Sequence, residues 1–263
     1  MTRRRSLALQ AGFIIPLLAV IYWYSEAYQS FAVAPVPDVL AAFQDAWLFD
    51  RVTSDVVPTL ERLFLGYALA VLIAVPLGIC LGSSRLLRML AGPLFAFFRS
   101  VPPIALIPPA LIVFGLGNTM KLFLIVVVCV WPIVLNASDG VVELDRTMLD
   151  TTRSYRLSRW ERLRYAVIPA VAPRIFAGMH TSLAFAIIVV VASEYLAGTD
   201  GIGFFIFQAQ SQYSIAEMWA GILLLGMLGF LLNLAFVAIQ RRVLFWQAPG
   251  ETRARKASEA AAA

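Results

Sequence analysis

Residues 150–178 read DTTRSYRLSRWERLRYAVIPAVAPRIFAG, a polar, arginine-rich stretch with apolar sequence on both sides. Two hydroxyl-x-x-acid patterns mark it, Thr147-x-x-Asp150 and Ser158-x-x-Glu161. In such a capping box the hydroxyl caps the start of a helix and the acid reaches back to the capping residue's backbone. The pair predicts a short helix from about Met148 to Tyr155, a break at Arg156-Leu157, and a second helix from Arg159. Pro169 and Pro173 are expected to end that second helix, because a proline removes a backbone donor and crowds the preceding turn. Leu149, Tyr155, Trp160, Leu163 and Tyr165 are interleaved with the charges. Two capped helices in series make a compact knob offered to another protein; a merely solvated basic loop has no need of them.

Working outward, the flanks are oily. Hydrophobic residues make up 60% of the 263-residue chain and charged residues 14%, against about 45–50% and about 25% in a soluble domain. A helical span needs about 20 mostly apolar residues. Stretches near Leu9–Ser25, Val57–Gly82, Met120–Ser138, Ile175–Ala197 and Ala216–Gln240 qualify, and Pro102–Gly117 is a shorter sixth. That sixth stretch holds Pro102, Pro103, Pro108 and Pro109, so it cannot be one unbroken helix. Irregular backbone at membrane depth survives only inside protein or beside a water-filled cavity. The fold class is therefore all-α, a polytopic membrane protein of six transmembrane helices. The chain divides into an N-terminal anchor with an outer amphipathic helix (1–56), a core (57–245) that contains the cytoplasmic loop 139–174, and a tail (246–263).

The basic residues set the orientation, since Lys and Arg collect on the cytoplasmic side. With both termini inside, 18 of the 21 basic residues are cytoplasmic, and only Arg51, Arg62 and Lys121 fall near the outer face. The basic start and Ala32-Val33-Ala34 resemble a leader, but the apolar run is as long as a span and Pro35 follows directly, so an uncleaved anchor is expected. Residues 39–48 place Val39, Leu40, Phe43, Ala46 and Trp47 at helical spacing, an amphipathic helix at the outer surface.

Enzyme chemistry finds little footing. There is no G-x-x-x-x-G-K-[ST] phosphate loop and no Gly-x-Ser-x-Gly elbow. Cys80 and Cys129 lie in different spans and His180 is the only histidine, so no metal-ligand spacing exists. A secondary transporter is a rival reading, but its spans would carry several partnered acids or histidines. A membrane scaffold is another, which vesicle uptake would separate. Glu194 stands near the outer end of the fifth span, where a carboxylate must be wetted or partnered. It is a candidate for the translocation path or its gate.

Several stretches, in order, carry a family resemblance: Pro35-Val36-Pro37, TLERLFLGYALAVLIAVPLGICLG (59–82), RSVPPIALIPP (99–109), FGLGNTMK (114–121), WPIVLN (131–136), TRSYRLSRW with VIPAVAP in the loop, and ASEYLAGTDGIGF (192–204). Together they resemble the inner-membrane permease of binding-protein-dependent ABC importers, in the nitrate/sulfonate/taurine/bicarbonate-type branch. The resemblance implies a type I importer permease fold in the bacterial inner membrane. It also implies a homodimer, two copies of a separate ATPase subunit and an extracytoplasmic substrate-binding protein. ATP and Mg would sit on the ATPase, with no cofactor on this chain. The solute would be a small anion such as a sulfonate, taurine or nitrate; an amino acid, a metal or a vitamin precursor fits the same architecture. The ATPase-docking residues implied are Asp150, Thr151, Thr152, Arg153, Ser154, Tyr155, Arg156 and Leu157. Asp150 stands where the family usually has Glu, Thr152 where it has Ala, and Arg156 where it has Gly.

Overall fold

The computed structural model describes residues 34–47 and 51–247, with Pro16, Val20 and Tyr22–Ser25. The expected first span and the tail from Pro249 lie outside the described residues, those few positions excepted. All regular elements among the described residues are helical. In chain order they are α1 (Val36–Asp45), α2 (Val57–Ser83), α3 (Arg85–Ser100), α4 (Ile107–Phe114), α5 (Asn118–Val142), α6 (Arg146–Ser154), α7 (Arg159–Arg162), α8 (Ile168–Ala197), α9 (Ile202–Ser211) and α10 (Ile215–Val243). Wide turns with i→i+5 bonding lead into α2 (Val52–Val56) and α8 (Leu163–Val167). Four helical runs are long and apolar enough to cross a bilayer: Val52–Ser83, Asn118–Val142, Arg159–Ala197 and Ile215–Val243.

The chain forms two compact units, Met1–Leu60 with Val191–Met227 and Glu61–Val190 with Leu228–Ala263. The second is organised around α5, where Leu124, Ile125, Cys129, Ile133, Val134 and Ala137 are fully buried. Water supplies no hydrophobic drive between helices in lipid, so close approach of small residues and hydrogen bonds must hold them. Both are present. α2 presents Gly78-x-x-x-Gly82, and a Cβ built on Gly78 would stand 2.6 Å from Ala137 Cβ. Tyr67 on α2 donates to the Met179 carbonyl of α8 at 2.7 Å. Between α5 and α8, the Ser182 hydroxyl donates to the Cys129 carbonyl at 2.9 Å, and the Cys129 thiol donates back to the Ser182 carbonyl at 3.3 Å. His180 lies 2.6 Å from Asn233 Oδ1 and stacks on Phe236.

The proline-rich stretch resolves into a corner. α3 and the Pro103–Phe114 segment are bent 93° apart. Pro102 caps a 3-10 turn, Pro103 opens it, and Pro108 and Pro109 occupy the first turn of α4. Each proline thus sits where a backbone N–H would have no helical acceptor anyway. Ile107 and Ala110 are buried, whereas Ile112 is 85% exposed and Val113 also faces outward.

Candidate functional site

The loop between α5 and α8 is built on its own apolar base. Ala137, Val167, Val171 and Ile175 form a buried cluster, with Val141, Leu144 and Leu163 packed against it. An ion pair between Arg174 and Glu143 at 2.5 Å ties the two stems together.

α6 occupies the place expected for the first loop helix, but its cap differs. Asp145 Oδ1 accepts from the Thr147 N–H at 2.9 Å, and the helix begins at Arg146. The Thr147–Asp150 box does not form: Asp145 comes two residues earlier and takes the orphan donor first. Asp150 pairs with Arg153 at 2.9 Å on the exposed face. The second box is realised in full. Ser158 Oγ accepts from Glu161 N–H, and Glu161 Oε2 accepts from Ser158 N–H at 2.8 Å. Hydrogen bonds from the Ser158 side chain and then its backbone hold Glu161 below the usual carboxylate range.

Between the helices the chain closes a Schellman turn. The Arg156 N–H donates to Arg153 O at 2.9 Å, and the Leu157 N–H donates to Thr152 O at 3.1 Å, the paired bonds that seal a helix C-terminus around a left-handed residue. That residue is Arg156, with φ +53°. Its backbone takes the left-handed conformation that glycine adopts freely and a side chain makes strained. Of the other predicted docking residues, Thr152 is buried and its hydroxyl donates to Leu149 O. The Thr151 and Ser154 hydroxyls donate one turn back, to Thr147 O and Asp150 O. Tyr155 is 78% exposed, and Trp160 and Tyr165 are exposed too.

The loop does not end at its prolines. From Arg159 to Ala197 the helix is continuous. Before Pro169, the Ile168 N–H bonds to Leu163 O in a widened turn. This absorbs one residue just where the proline has no donor to give.

Glu194 belongs to the first unit and is fully buried. Its Oε2 accepts from the Gly203 N–H at 3.2 Å, at the start of α9. Thr59 Oγ1 lies 3.0 and 2.9 Å from the two carboxylate oxygens and 2.9 Å from Asp55 O. The hydroxyl has one proton, so it serves one of these acceptors at a time while itself accepting from Ile202 N–H at 3.0 Å. Asp55 Oδ1 accepts from Gly201 N–H at 3.1 Å. The carboxylate therefore faces the positive end of α9. Gly201 caps that helix with φ +107°, and a Cβ there would stand 2.5 Å from both Glu194 oxygens. Thr59, 135 positions from Glu194, carries no signal of its own in the sequence. Around this knot Trp47 packs edge-on against Phe205, and Arg51 lies over the same ring.

Among the described residues, long apolar helical spans with a doubly capped polar loop between two of them are the architecture of a transport permease. Residues 70–245 match the model of the binding-protein-dependent transport system inner membrane component, and the chain belongs to this family. It is 30% identical to a probable ABC transporter permease protein of Brucella abortus strain 2308, covering 86% of this chain and 90% of that one. It is 33% identical to the nitrate import permease protein NrtB of Leptolyngbya laminosa (71% and 67% covered). Identity to the taurine transport system permease protein TauC of Escherichia coli K12 is 32% (78% and 73%). Among solved structures, an inward-facing MetNI methionine ABC transporter chain superposes with a TM-score of 0.62 at 22% identity, covering 72% of this chain and 94% of that one. The chain is the permease subunit of a binding-protein-dependent ABC importer, an inner-membrane component that works with an ATPase and a substrate-binding protein.

Proposed function

We infer that residues 150–157 dock the ATPase subunit from the cytoplasm, with both termini of the permease on that side. Two copies of the chain would line one path, each holding one ATPase copy that binds ATP and Mg and hydrolyses the ATP. The observation that carries this reading is the exposed α6–α7 knob, sealed by a Schellman turn and seated on a buried base. The solute is a small anion, supported by the nitrate and taurine permeases among the relatives. Glu194 is assigned to the gate: a buried carboxylate held by donors from two segments changes partners if those segments separate.

Pull-down of the ATPase subunit at low and high salt tests the docking. Asp150→Ala is expected to weaken binding severalfold. Arg156→Gly relaxes the turn by about 1 kcal/mol but removes a charge, so binding falls and becomes less salt-sensitive. If neither change matters at any salt concentration, the loop is not the docking element. Solute choice is read from which anion, with the binding protein, stimulates ATP hydrolysis by the reconstituted complex.

Orientation has its own check. A cysteine at Ser211 should react with an impermeant reagent in intact cells, and one at Ser158 only after permeabilisation. Labelling of Ser158 from outside would invert the topology and remove the docking surface from the ATPase.

A further inference from the structure

Beneath the loop lies a hollow of about 410 Å³, bounded among others by Gly82 at the end of α2, Leu149 and Arg153 of α6, Arg159 and Arg162 of α7, and Leu163. One water occupies only about 30 Å³ of liquid, so the space suits a polyatomic group. No carboxylate lines it. Four of the loop's acids have partners of their own: Asp150 with Arg153, which itself bounds the hollow, Glu161 with Ser158, Glu143 with Arg174, and Asp145 with the cap of α6. Arg159 and Arg162 make no ion pair among the described residues. Two guanidinium groups without an ion-pair partner thus line the hollow beside apolar residues, and arginine binds tetrahedral oxyanions through paired N–H donors.

We propose that this hollow binds the phosphate group of an anionic phospholipid, and that the bound lipid braces α6 against the end of α2. The assignment rests on the cytoplasmic placement of the loop given above. On that side, basic pockets between membrane helices meet anionic headgroups at high local concentration. The wall of Leu149, Leu163 and Val167 accepts the glycerol and first acyl carbons, which free phosphate lacks. α6 carries the docking residues, so a headgroup at its back makes the permease–ATPase contact sensitive to membrane composition.

The test uses the full chain, purified in detergent, and follows thermal unfolding during titration with short-chain phosphatidylglycerol, short-chain phosphatidylcholine or inorganic phosphate. Phosphatidylglycerol should raise the melting temperature saturably and phosphatidylcholine should not. In R159Q/R162Q the half-saturating lipid concentration should rise by about thirtyfold, the factor contributed by two interfacial cations. R159K/R162K keeps the charge but loses the forked donors, and should fall between. An equal phosphatidylglycerol response in wild type and R159Q/R162Q overturns the site, as does no response in wild type. Inorganic phosphate matching the lipid in potency overturns the lipid assignment. This readout needs no ATPase. A failure of the importer reading shows separately, as absent ATPase stimulation in every lipid while the melting shift persists. In the reconstituted complex, replacing phosphatidylcholine with phosphatidylglycerol should raise stimulated ATP hydrolysis severalfold in wild type and leave R159Q/R162Q unchanged.

Discussion

Gly201→Ala should be strongly damaging to the first unit. At φ +107° and ψ 165° the backbone occupies a region that side chains essentially avoid, at about 1–3 kcal/mol. The added methyl also lands on the Glu194 carboxylate. That group cannot retreat without leaving Thr59 and the Gly203 N–H, and an orphaned buried partner costs about 1–3 kcal/mol. Against a typical total of about 5–15 kcal/mol, the variant should melt far below wild type in detergent and yield little monodisperse protein. Glu194→Gln keeps the shape and the acceptor to Gly203, and should lose about 1–3 kcal/mol. Glu194→Ala opens space for the methyl, so Gly201→Ala should cost less in that background. Full additivity would assign the whole effect to backbone strain and none to the contact.

The second large effect belongs to the seam between α2 and α5. A leucine at Gly78 must displace Ala137 and the Val134 backbone, which lie 2.6 and 2.8 Å from a mere Cβ. Overpacking typically costs about 1–3 kcal/mol and more when backbone blocks relaxation. Gly78→Leu should unfold the second unit at a much lower temperature, with Gly78→Ala a weaker version of the same loss. Gly92 in α3 is the control: a Cβ there meets nothing within 4 Å, and Gly92→Ala should stabilise the helix by about 1 kcal/mol. If Gly78→Leu and Gly92→Ala melt alike, the seam does not hold the unit together.

Local chemistry was legible where it acts over a few residues. The break at Arg156-Leu157 was visible because Ser158 and Glu161 form a reciprocal cap that only a new helix start requires. The first cap was misplaced because Asp145 and Thr147 are both good capping residues, and their competition is decided by three-dimensional reach. The prolines at 169 and 173 misled for a related reason. One widened turn at Leu163–Val167 lets the helix pass a missing donor, and no composition signals it. Glu194 was legible as a carboxylate needing partners, whereas its partners were not. Thr59 and the Gly203 N–H reach it only through folding, and a lone threonine at the head of an apolar span reads as ordinary.

The corner at Pro103–Phe114 bears on how the protein is made. At about 1.5 Å per residue the segment is about 18 Å long, well short of a hydrocarbon core of about 30 Å. Alone, it cannot partition stably across the bilayer as it leaves the ribosome. It contacts α5 in the finished fold, and α5 is synthesised after it. The segment must therefore wait at the insertion machinery, or at the membrane surface beside the amphipathic α3, until α5 has arrived. Chains truncated between Gly115 and Gly140 should leave it unprotected and open to quality-control proteases, whereas chains that extend past α5 should shield it. Biogenesis thus acquires a compulsory order, with commitment falling at α5.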